Sequence, residues 1–113
     1  QERYQGPLAF LVERNGPNAG KAHLLMAETY VGRAPECGVS LPNSAVSKRH
    51  ARIRFQGDKF VYWDLASANF SFTVAADGER TRILDPLELV DGQPIDRGDP
   101  RLTFLWIAAS DQA

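Results

Sequence analysis

Apolar residues in this chain recur at every second position along several short stretches, the spacing of strands rather than of helices. Ala51, Ile53 and Phe55 alternate with Arg52 and Arg54, which sets the apolar side chains on one face of an extended segment. Leu102, Phe104 and Trp106 repeat the pattern near the end, with Thr103 between the first pair. Residues 8–12 and 60–65 are short runs of aromatic and branched apolar side chains, which predict strands buried at least partly on two sides. Turn chemistry separates these runs. Asn15-Gly16-Pro17-Asn18-Ala19-Gly20 is a loop, and Gln56-Gly57-Asp58, Asp77-Gly78, Asp91-Gly92 and Arg97-Gly98-Asp99-Pro100 read as hairpin or connection turns. No stretch carries a convincing helical stripe, and no internal repeat or low-complexity segment is visible. Many short strands between Gly, Pro, Asn and Asp turns predict an all-β sandwich or barrel.

Length and composition narrow the picture. A chain of 113 residues suits one domain and hardly two. Its core is expected at about residues 8–107, with residues 1–6 and 110–113 expected to fray. It opens on Gln1 rather than Met, which reads as a segment of a longer protein. Thirteen basic against fourteen acidic residues leave a formal net charge of −1. That balance argues against a surface built throughout for nucleic acid or anionic lipid, while leaving room for a local anion site. The single cysteine, Cys37, excludes an internal disulfide and fits a reducing intracellular setting. No apolar run approaches the ~20 residues of a membrane span, and no signal peptide is visible.

Candidate chemistry concentrates between Tyr30 and Ser71. Polar residues there fall in the turns between apolar strands: Gly32-Arg33, then Ser47-Lys48-Arg49-His50, then Asp64-Leu65-Ala66-Ser67-Ala68-Asn69. Loops at one end of a sandwich are close in space though distant in sequence, so Arg33, Ser47, Lys48 and Asn69 are expected to converge on one rim. A guanidinium fork, an ammonium, a hydroxyl and an amide together suit a doubly charged phosphate.

These residues resemble the forkhead-associated (FHA) domain family. The resemblance rests on Gly32-Arg33, on Ser47-Lys48-Arg49-His50 fourteen positions after Arg33, and on the Asp-Leu-x-Ser-x-Asn turn at Asp64 to Asn69. It extends to the closing strands from Pro86 through Gly98, with Leu102 and Phe104. It implies a sandwich of two mainly antiparallel sheets, about eleven short strands, whose loops bind phosphothreonine peptides as a non-catalytic signalling adaptor. Carried onto this chain, Arg33 and Ser47 contact the phosphate and Lys48 adds a further phosphate-binding side chain. Asn69 bonds the peptide backbone, and Arg49 points to the rim or to nearby carboxylates. His50 ties neighbouring loops together, and Gly32 permits a close backbone approach. The implied partner is a phosphothreonine-containing protein, such as a Ser/Thr kinase substrate. No cofactor is implied.

The chain also departs from the family pattern. Asn69-Phe70-Ser71 stands where the family usually has Asn-Gly-Thr, so either the turn is reshaped or Phe70 carries left-handed strain of about 1–2 kcal/mol. Ala66 replaces another frequent glycine, Ala68 removes a hydroxyl, and residues 73–85 are longer than the usual connection.

Competing readings are weaker. Ser47, His50 and Asp64 are the residue types of a hydrolytic triad, but Ser47 lacks the Gly-x-Ser-x-Gly setting. His23, His50 and Cys37 show no paired metal-ligand spacing. Asn69-Phe70-Ser71 matches a glycosylation sequon without a secretory signal to support it. Lys48-Arg49-x-x-Arg52-x-Arg54 lacks interleaved base-stacking aromatics, and Arg52 and Arg54 are expected on a solvated strand face. The alternative within the family is a scaffold that binds without phosphate. Its candidate surface is the last strand, which is apolar on both sides and meets the rest of the parent chain or a second copy, unless residues 73–85 fold over it.

Overall fold

The fold is seen in a computed structural model, which describes residues 6–96 and 101–107. The frayed ends and the Arg97–Pro100 turn expected above lie outside the described residues, except for Gly6. Among the described residues eleven strands follow one another: β1 (Leu8–Glu13), β2 (Ala22–Leu24), β3 (Glu28–Gly32), β4 (Val39–Ser40), β5 (Ala51–Gln56), β6 (Lys59–Asp64), β7 (Phe72–Val74), β8 (Arg80–Arg82), β9 (Leu87–Glu88), β10 (Pro94–Asp96) and β11 (Leu102–Ile107). They form a six-stranded sheet in the order β2-β1-β11-β10-β7-β8 and a five-stranded sheet in the order β4-β3-β5-β6-β9. All neighbours are antiparallel except β3 and β4.

The period-two pattern dictates which faces meet. Ala9, Leu11, Ile95, Leu102 and Phe104 of one sheet and Val31, Ala51, Ile53, Phe60 and Tyr62 of the other are fully buried in one core. The Gly57-Asp58 turn between β5 and β6 pairs Gln56 with Lys59, and Gly57 takes the positive φ of +65° that a tight hairpin asks of its first central residue. At that end Phe55, Phe60, Phe104 and Trp106 pack as an aromatic cluster, with Trp106 edge-on to Phe60 at 5.2 Å. Ala51 starts β5 at the opposite end, where the β3–β4, β4–β5 and β6–β7 loops gather.

Two-sided burial holds in β6 at Phe60, Val61 and Tyr62, whereas Leu65 lies past the end of the strand and is exposed. In β1 it holds only toward the end. Leu8 is 51% exposed because, among the described residues, no layer covers the outer face of the six-stranded sheet there. Residues 73–85 do not fold over β11. Their strands extend that sheet as a β7–β8 hairpin, separated from β11 by β10. Arg54 is exposed, as expected of a solvated face, but Arg52 is only partly so. Its guanidinium lies over the Trp63 ring at 4.8 Å and pairs with Glu28 at 3.3 Å. The aromatics missing between the basic residues in sequence are thus supplied by adjoining strands, and their faces are occupied by the protein's own cations.

Candidate functional site

Backbone pairing brings the loops together. The Arg33 amide donates to the Ser47 carbonyl at 2.9 Å, and the Ala34 amide donates to the Lys48 carbonyl at 3.2 Å. This crossing runs directly over Gly32, where a Cβ would sit 2.1 Å from the Lys48 carbonyl oxygen. Only a residue without a side chain allows that approach. Cys37 joins the same carbonyl with an Sγ contact of 3.4 Å, and burial, with the Glu36 charge beside it, pushes its thiol above the usual range.

His50 is completely buried and joins the second loop to the third. The Ser47 amide donates to Nδ1 at 3.2 Å, so Nδ1 carries no proton, and Nε2–H donates to the Phe70 carbonyl at 2.9 Å. Ser47 Oγ in turn accepts from the Ala68 amide at 3.0 Å. Because it accepts there, its hydroxyl proton is still to be given. The geometry is not that of a hydrolytic triad. His50 takes the backbone amide of Ser47 rather than its hydroxyl, and its Nε2 is 3.8 Å from Asp64 Oδ1, beyond hydrogen-bond length.

Arg33 is held through Nε, which donates to the Val46 carbonyl at 3.0 Å, and it pairs with no carboxylate among the described residues. The terminal N–H groups of its fork remain as donors. Lys48 is exposed, and its ammonium likewise has no acidic partner among the described residues. Asn69 Nδ2 donates to the Ala45 carbonyl at 2.7 Å, so the side-chain amide spans two loops and keeps Oδ1 to accept. Arg49 lies over the Tyr30 ring at 4.7 Å, and among the described residues it pairs with no carboxylate. Tyr30 precedes Val31 in β3 and offers Arg49 the face of its ring.

Of the two outcomes expected at Asn69-Phe70-Ser71, the strained one is found: Phe70 has φ +67°, and Ala66, the other glycine replacement, has φ +52°. Both fall in the left-handed region. The loop between them is braced by a network not anticipated from sequence. Asp64 Oδ1 accepts from the hydroxyls of Ser67 at 2.6 Å and Ser71 at 2.7 Å, Oδ2 accepts from the Ser67 amide at 3.1 Å, and the Tyr62 hydroxyl meets Ser71 Oγ at 2.7 Å. Burial raises the Asp64 carboxyl, but the hydrogen bonds from the Ser67 and Ser71 hydroxyls and the Ser67 amide hold the group below the ordinary aspartate value. The Asp64-x-x-Ser67 spacing of a side-chain-closed turn was the available signal. A separate cleft, lined by Glu13, Pro17, Asn18, Leu41, Pro42 and Asn43, contains none of the expected ligand residues.

Comparison with known proteins agrees with this architecture. The family model of the FHA domain matches residues 29–98, which include Gly32, Arg33, Ser47, His50 and Asn69. The glycogen accumulation regulator GarA of Mycolicibacterium smegmatis is 34% identical over 106 residues, covering 93% of this chain and 63% of that protein. The oxoglutarate dehydrogenase inhibitor of Corynebacterium jeikeium is 37% identical over 98 residues, covering 86% of this chain and 64% of that protein. The chain thus spans just under two thirds of the length of these curated relatives. Among solved structures, Mycobacterium tuberculosis EmbR in complex with a low-affinity phosphopeptide superposes with a TM-score of 0.77 at 29% identity, covering 93% of this chain and 26% of EmbR. With the glycine crossing, the histidine tie and a match through all three loops, this chain belongs to the FHA domain family.

Proposed function

We propose that this domain is a non-catalytic reader of phosphothreonine on a partner protein. Arg33, Ser47 and Lys48 take the phosphate, and Asn69 Oδ1 accepts from the peptide backbone. The observation that carries the reading is the Arg33 guanidinium. It is oriented by a backbone carbonyl and, among the described residues, left without a carboxylate, on the loop hydrogen-bonded to Ser47. A phosphorylated threonine brings a charge of about −1.5 to −2 to such a group, which an unmodified threonine lacks. The phosphopeptide complex of EmbR supports the same reading. The partner is a phosphorylated protein, such as a Ser/Thr kinase substrate.

The test is calorimetric titration with phosphothreonine peptides and their unmodified counterparts. Wild type is expected to bind only the former. Arg33→Ala, with unfolding behaviour unchanged, is expected to lose about a hundredfold in affinity, the worth of one to two charge-assisted hydrogen bonds. Equal binding of both peptides, or retained affinity in the variant, refutes the reading.

A second reading, phosphate-independent contact with another part of the parent or a second copy, draws on the outer face of β1, β2 and β11, which no described residue covers. There Leu8, Leu24 and Ile107 are exposed by 51%, 45% and 42%. Light scattering that shows a dimer unaffected by Arg33→Ala would favour it.

A further inference from the structure

Phe70 follows Asn69 directly, and its carbonyl is bonded to the histidine that also receives the Ser47 amide. Its ring is therefore carried on the anchored backbone that also carries the proposed peptide contact. The ring is 37% exposed and sits on a left-handed backbone that glycine would occupy more cheaply, so the core does not account for it. What the ring does is carry Arg82, whose guanidinium carbon lies 3.5 Å from the ring centroid.

The neighbouring rung shows how Arg82 differs. Phe72 lies two residues on from Phe70, and Arg80 lies over its ring at 3.9 Å. Arg80 is neutralised by Asp96 at 3.3 Å, a carboxylate that also meets Arg101 at 3.6 Å. Arg82, stacked on the ring nearer Asn69, pairs with no carboxylate among the described residues. A guanidinium stacked by its face keeps its edge donors for a planar or tetrahedral anion, and the ring limits the rotamers it must give up on binding.

We infer that Arg82, held on Phe70, is a second anion subsite of the peptide cleft. It takes a carboxylate side chain or a second phosphoryl group of the same peptide, on the Asn69 side of the phosphothreonine. The inference rests on the phosphothreonine reading above and adds to it a sequence preference that Arg33 and Ser47 alone do not supply.

The test is a set of phosphothreonine peptides in which a single Asp or a single phosphoserine is walked through the positions flanking the phosphothreonine. Each is titrated against wild type, Arg82→Ala and Phe70→Leu. In wild type one flanking position is expected to gain about fivefold in affinity from the acid, the range of a partly exposed ion pair. Arg82→Ala is expected to erase that gain while still binding the parent phosphothreonine peptide, and Phe70→Leu to reduce it. A larger gain from phosphoserine than from Asp assigns the subsite to a phosphoryl group, and the reverse assigns it to a carboxylate. Wild type that binds phosphothreonine but ignores acid at every position, or a gain that survives Arg82→Ala, overturns the subsite alone. Wild type that binds no phosphothreonine peptide overturns the underlying reading, and the subsite with it.

Discussion

Ala66 offers the cleanest measure of what the recognition loop costs the fold. Its φ of +52° places a Cβ where L-residues are disfavoured by about 1–2 kcal/mol, and its side chain is exposed, so there is little packing to lose. Ala66→Gly relieves that strain but gives the unfolded chain more freedom, which costs about 0.4–1 kcal/mol. The net expectation is stabilisation by about 0.5–1 kcal/mol, or a rise in Tm of about 2–4 °C for a domain of this length. Ala75→Gly is the control. It is an exposed turn alanine with no positive φ, so it carries the entropy cost alone and is expected to destabilise by about 0.4–1 kcal/mol.

The assay is urea unfolding followed by tryptophan fluorescence. Trp106 packs edge-on to Phe60 and reports the core. A shift in midpoint at constant slope reads as stability. The two variants should move the midpoint in opposite directions. If Ala66→Gly destabilises as much as Ala75→Gly, the left-handed cost does not exist at this site and the strain argument fails. Phe70→Gly should gain less than Ala66→Gly, because it also gives up the stacking of Arg82, worth about 0.5–1 kcal/mol at an exposed site.

Other outcomes follow from the same geometry. Gly32→Ala forces a Cβ against the Lys48 carbonyl and is expected to cost about 3 kcal/mol, with loss of phosphopeptide binding, measured by urea unfolding and calorimetry. His50→Ala leaves the Ser47 amide and the Phe70 carbonyl without their partner and opens a cavity, so a loss of about 3 kcal/mol or more is expected in the same unfolding assay. For Asp64 the folded carboxyl lies below its unfolded value, so in acid the unfolded chain binds more protons and stability rises with pH. Its contribution is complete above the unfolded value and disappears as pH falls through the folded one. Asp64→Asn should flatten that acid limb when unfolding is measured from pH 7 downward.

The strands were legible because each apolar set had only to alternate, and alternation survives in a linear reading. Cross-strand partners did not survive it. Arg52 meets Trp63 because the two-residue turn at Gly57-Asp58 sets the register that places them opposite each other, and a shift by one residue would move Trp63 to the other face. Buried Glu13 and His23 pair at 2.7 Å across the long β1–β2 loop, whose ends meet only once β2 has found β1. At the site, the residue types and spacing named Arg33, Ser47, Lys48 and Asn69. The partial commitment of the Asn69 amide to Ala45 depends on where the β4–β5 loop runs, and no pattern in the chain encodes that path. At Phe70 the sequence narrowed the turn to two outcomes, a reshaped loop or left-handed strain, because an aromatic residue in a glycine position admits few backbone solutions, and the structure shows the strain.

The wiring of the loops also explains how the site can stay positive in a chain of net charge −1. Each tie between loops uses a backbone group on at least one side: Arg33 Nε to the Val46 carbonyl, Ser47 Oγ to the Ala68 amide, Asn69 Nδ2 to the Ala45 carbonyl, and His50 to the Phe70 carbonyl. A carboxylate would orient Arg33 equally well, but it would cancel the charge that an anion must find. Asp64, whose Oδ1 lies 3.8 Å from His50 Nε2, is satisfied instead by the hydroxyls of Ser67 and Ser71. Neutral carbonyls thus aim the guanidinium without neutralising it. The ordering of its long side chain is then largely complete before a ligand arrives, and that is where preorganised sites gain affinity.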